Sequence, residues 1–143
     1  MLYYAHEKPR AFREVLRVLK PGGSFFATTV GERHMQELVD LTRPFQPKVQ
    51  RPVSDSRSLD FLLENGLELL QPFFADVELQ RYEDTLFVTQ AEPLIQGFFS
   101  EKANDALRGR EATLRGLIEA QIRERGGFSI FKDSGIFIAR KGR

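Results

Sequence analysis

The sequence predicts an α/β protein: a sheet with helices on its faces, and a helical insertion. Three observations predict it. Helical and β-type runs alternate along the chain. The run Ser24–Val30 (SFFATTV) carries no charge, as expected of a strand covered on both faces. A long helical stretch separates two later β-type regions. The 143 residues suffice for one domain with a real core, and the 13 Phe within a 41% hydrophobic composition argue against disorder. The expected organisation is a single domain, 1–143, with 83–127 as a helical insertion or cap.

Met1–Ala5 is apolar and aromatic, too short to stand alone, and reads as the end of a strand. Lys8–Leu19 reads as an amphipathic helix. Pro9 suits its first turn, where the missing N–H is not needed. Phe12, Val15, Leu16 and Leu19 recur at helical spacing, and Arg10, Arg13, Glu14 and Arg17 fill the other face. Lys20-Pro21-Gly22-Gly23 stops the helix and turns the chain into Ser24–Val30, which Gly31 ends. Glu32–Leu41 is a second, short helix with Met35, Leu38 and Val39 inward. Thr42–Ser58, with Pro44, Pro47 and Pro52, is a long loop.

Leu62–Phe73 is read as helical although Gly66 weakens a helix by about 1 kcal/mol. Asp76–Tyr82 alternates as a strand does, and Leu86–Thr89 is a short extended piece. Pro93 opens a helix with Leu94, Ile95, Phe98 and Phe99 on one side. Lys102–Arg125 is the longest helical stretch, striped by Leu107, Leu114, Leu117, Ile118 and Ile122 and ended by Gly126-Gly127. Phe128–Phe131 and Ile136–Arg140 are β-type, with Lys132-Asp133-Ser134-Gly135 as the turn between them.

Composition narrows the function classes. Net charge is +1 and the basic residues are spread, so there is no field to recruit nucleic acid or acidic lipid. The absence of cysteine removes disulfides, thiolate metal sites and a Cys nucleophile. His6 and His34 are too few for a histidine-based metal centre, and no metal is expected. No apolar run approaches the roughly 18 residues of a membrane span. The opening residues lack the basic start and apolar core of a secretory signal. A cytoplasmic location without a membrane partner is the expectation.

Met1-Leu2-Tyr3-Tyr4, the helix end Arg17-Val18-Leu19-Lys20-Pro21-Gly22-Gly23 and the strand Ser24-Phe25-Phe26-Ala27-Thr28-Thr29 together resemble the middle of class I S-adenosylmethionine-dependent methyltransferases. The resemblance is to the type 11 family, which includes the ubiquinone/menaquinone-biosynthesis-like enzymes. That family carries an MLYH-like segment ending its fourth strand, then an E-x-x-R-V-L-K-P-G-G helix end, which Glu14 and Arg17 match. Leu63-Glu64-Asn65-Gly66 and Gly135-Ile136-Phe137-Ile138-Ala139-Arg140-Lys141 look like its tail. The likeness covers most of the chain and is weakest over Thr42–Ser58.

The resemblance implies the C-terminal half of a Rossmann-like methyltransferase sheet. In the family's order, 3-2-1-4-5-7-6 with the seventh strand antiparallel, Ser24–Val30 is the fifth, Ile136–Arg140 the seventh and Asp76–Tyr82 the sixth. This gives strand order 5-7-6 with the last strand antiparallel. The family's glycine-rich loop and the acidic residue that takes the ribose hydroxyls are not in this sequence. Gly22-Gly23 and Gly126-Gly127 follow helices, the wrong polarity for an anion cradle at a helix N-terminus. The implied function is therefore part of an enzyme moving a methyl group from S-adenosylmethionine to a small molecule, with this chain alone not expected to hold cofactor. The alternative is a non-catalytic remnant or oligomerisation module of the same fold.

By resemblance, Leu2 and Tyr3 line the cofactor, and Tyr4, His6 and Thr29 line the substrate cleft, with Thr28 and Gly31 bordering it. The family usually has His where Tyr4 stands. A catalytic residue is not identified. Histidine titrates near neutrality, so His6 is a candidate base, but an exposed histidine at a helix entry is more common than a catalytic one. His34 is expected on the polar side of its helix, solvated. Arg43, Lys48, Arg51 and Arg57 either meet an acidic substrate or form a solvated loop. The inserted helices with Phe98 and Phe99 are either a lid or an oligomer contact. Ser24–Val30 without its fourth-strand neighbour leaves an open apolar edge, which predicts a homo-oligomer.

Overall fold

The computed structural model describes residue 2 and residues 5–45, 60–100 and 107–143. In chain order the elements are α1 (Lys8–Val18), β1 (Ser24–Val30), α2 (Gln36–Thr42), α3 (Gly66–Leu70), β2 (Asp76–Val88), α4 (Ala91–Ser100), α5 (Glu111–Arg125) and β3 (Phe128–Arg140). The protein is α/β, with one three-stranded sheet in the order β1-β3-β2. β1 pairs antiparallel with β3, from Ser24 opposite Arg140 to Val30 opposite Ser134. Between β2 and β3, Asp76 meets Arg140, Tyr82 meets Ser134 and Phe87 meets Gly127. One number rises as the other falls, so this pair is antiparallel as well. β1 and β2 thus point the same way with β3 reversed between them.

Several local expectations need correction. Ser24–Val30 is expected to be covered on both faces, but Phe26 and Thr28 on it are exposed. Lys132–Gly135 is not a turn: the two short β-type runs are one strand, β3, of 13 residues. Asp133 sits inside it, fully buried beside Arg81, so its carboxylate anchors the strand instead of turning it. Asp76–Tyr82 and Leu86–Thr89 likewise merge into β2. The opening segment was read as a strand end, yet Leu2 lies in a helical turn closed by Ala5 N–H to Leu2 C=O at 2.9 Å. Met1, Tyr3 and Tyr4 lie outside the described residues.

The predicted helix Leu62–Phe73 shortens to Gly66–Leu70. Phe61, Leu62 and Leu63 are all buried, and three consecutive side chains cannot face one side of a helix. The second helix begins later than expected because Gly31–Met35 makes a tight turn first. His34 N–H bonds Gly31 C=O at 3.1 Å, and Met35 adopts a left-handed φ of 55° while its N–H bonds Phe131 C=O at 2.8 Å. A methionine in that region is uncommon, and the bond to Phe131 helps hold it there.

The chain packs as two compact units. One holds α1, β1, α3, β2 as far as Glu83, and β3 from Asp133 onward. Its core is Phe12, Ala27, Phe61, Leu63, Leu70, Phe74, Phe137 and Ala139. Phe12 is in ring contact with Phe61, Phe73 and Phe74, and Phe61 meets Phe137 edge-on at 5.5 Å. Such tilted pairs add to the area each ring removes from water. The other unit holds α2, α4, α5, the end of β2 and the start of β3, around Leu38, Ala91, Ile95, Leu114, Ile118, Phe128 and Ile130. α5 ends at Gly126, whose φ of 77° stops it as a left-handed cap. No helix among the described residues is long and apolar enough to cross a membrane.

Candidate functional site

Ligands of open α/β sheets collect beyond the C-terminal ends of the strands. Beyond β1 the chain reaches Gly31, which is buried, and a charged cluster lies there. The Asp133 side chain is wholly buried, and both its oxygens accept from Arg81: Nε–H to Oδ1 at 2.7 Å and Nη2–H to Oδ2. Arg81 also meets Glu64 at 3.1 Å and Glu83 at 3.7 Å. The hydrogen bond from Asp133, aided by the charges of Asp133, Glu64 and Glu83, raises the Arg81 pKa above its ordinary value against the pull of burial. Glu64 Oε2 accepts the Glu32 N–H at 3.1 Å. The Asp133 N–H donates to His34 Nδ1 at 3.0 Å.

This cluster is a clasp. A forked guanidinium on a carboxylate is among the stronger pairings a protein makes. Here it ties the end of β1, the middle of β2, β3 and the 61–64 segment into one place. Each of its carboxylates is already engaged by a cation or a backbone amide. His34 is corrected accordingly: it is half-buried in the turn before α2 and engaged with Asp133, not solvated on a helix face.

Of the residues predicted to line a cofactor, Leu2 is half-buried and packs against the aromatic core, and Tyr3 lies outside the described residues. Of those predicted to line substrate, Tyr4 also lies outside the description, and His6 is exposed just before α1. Thr29 is half-buried on the core side of β1, where its hydroxyl donates to Phe61 C=O at 2.6 Å. Thr28 points to the opposite side of the sheet and borders a shallow hollow with Gln80, Tyr82, Ser134 and Ile136. Gly31 ends β1 as expected. Arg43 is exposed and paired with Asp40, while Lys48, Arg51 and Arg57 are outside the description. Phe98 and Phe99 pack onto the core of their own unit.

The described residues do not fit S-adenosylmethionine by themselves. Gly31 leads from a strand towards a helix, but its open side is filled: a Cβ there would collide with the Asp133 carboxylate. Gly22 and Gly126, the positive-φ glycines after α1 and α5, follow helices. Among the described residues no group of three or more acidic or histidine side chains is placed to hold a metal ion.

Sequence reasoning missed the clasp, although a signal was present. Arg81 is in phase with Val77 and Leu79, which face the core, and Asp133 is in phase with Phe137 and Ala139. An arginine and an aspartate on inward phases require each other. Reading Asp133 as a turn residue hid that. Compared with known proteins, the chain matches no family model and no curated protein.

Proposed function

We propose that this chain is the C-terminal half of a class I S-adenosylmethionine-dependent methyltransferase acting on a small molecule, and that alone it binds no cofactor. The carrying observation is the path of the chain. The helix α1 is followed by Pro21-Gly22-Gly23 and the uncharged β1, and the last strand, β3, lies reversed between two strands of common direction. In that reading the cofactor-gripping glycine loop belongs to sequence upstream of this chain. These residues supply the wall of the acceptor side, with Thr28 and the hollow beside it nearest the acceptor.

A non-catalytic module of the same fold is the second reading. The filled space at Gly31 and the engaged hydroxyl of Thr29 favour it. Calorimetric titration with S-adenosylhomocysteine separates the two readings when it is run on two products. For the 143-residue chain no saturable heat is expected. For the chain extended by its in-frame upstream codons, saturable binding is expected, with a strand and a Gly-x-Gly-x-Gly turn in the added sequence. A stop codon directly upstream, or an extended product that does not bind, sinks the enzyme reading.

A further inference from the structure

We draw no further inference here: the strongest candidate, the cleft that α2 and α5 form over Phe87, Gly127 and Phe128, has its acidic residues Glu37 and Asp40 already engaged by the Phe131 N–H and by Arg43, and nothing in the structure shows what covers its apolar floor.

Discussion

The unit around β1 and the unit around α5 use different chemistry to bury their interiors. In the first, aromatic rings interlock with glycine: Phe137 lies against Gly66 so closely that a Cβ on Gly66 would strike its ring. A buried carboxylate and its arginine sit at the margin of this core. In the second, Leu38, Ile95, Leu114, Ile118 and Ile130 make up most of the core beside Phe128, the ring of Phe87 on Gly127 is exposed, and the ion pair between Arg115 and Glu92 is on the outside. Rings locked on glycine and a buried charge pair have few alternative arrangements. Aliphatic side chains between helices can repack. The first unit should therefore be the less tolerant of substitution.

The largest expected effect is at the ring–glycine lock. Phe137→Ala should lower unfolding stability by about 4 kcal/mol, since removing a fully buried ring loses transfer energy and leaves a cavity the sheet cannot close. Urea denaturation at constant m-value measures it. A loss below about 1.5 kcal/mol would show that this core collapses as readily as an aliphatic one, and the contrast between the units would fail.

Arg81→Met comes next. It keeps much of the stem and leaves Asp133 buried without its cation. Breaking a buried pair in this way typically costs about 3–5 kcal/mol. The lower end is expected here, since the Arg81 side chain is 40% exposed and water can reach part of the site. The double variant Arg81→Met with Asp133→Leu should recover much of the loss, because no uncompensated charge remains. No recovery would mean that Asp133 does more than pair with Arg81.

That pair also marks where the sequence was legible and where it was not. α1 and β1 could be read closely, since the spacing of Phe12, Val15, Leu16 and Leu19 and the uncharged run after Gly23 are local signals. The continuity of β2 and β3 could not, because it depends on partners distant in sequence. Glu83 and Asp84 look like a strand end until the chain opposite is known. Asp133-Ser134-Gly135 looks like a turn until Arg81 is placed beside it. The same holds for the site. Thr29 was correctly sited near the end of β1, but its hydroxyl is held by Phe61 C=O, a partner 32 residues away. The clasp needed four separated segments to be assembled before its purpose could be seen.

In the aliphatic unit, Ile118→Val tests the other side of the comparison. Ile118 is almost fully buried on α5, and deleting one methyl should cost about 1 kcal/mol. The effect should appear as faster hydrogen exchange along α5. A loss as large as that at Phe137 would place the two cores on equal terms.

The smallest expected effect lies at the end of α1. Lys141 Nζ donates to the carbonyls of Leu16 at 2.6 Å and Leu19 at 2.8 Å, while its own N–H bonds Gly23 C=O. A cation on the last carbonyls of a helix satisfies acceptors that lack intrahelical partners and opposes the negative end of the helix dipole. Lys141→Met keeps a flexible apolar stem over the same turn and removes only the charge and its donors. A loss of about 0.5–1 kcal/mol is expected, shrinking in high salt as the dipole term is screened. If the loss were unchanged by salt, the hydrogen bonds alone would be responsible. If there were no loss, solvent would be replacing the cap, and the turn at Pro21-Gly22-Gly23 would by itself be sufficient to end the helix and deliver the chain to β1.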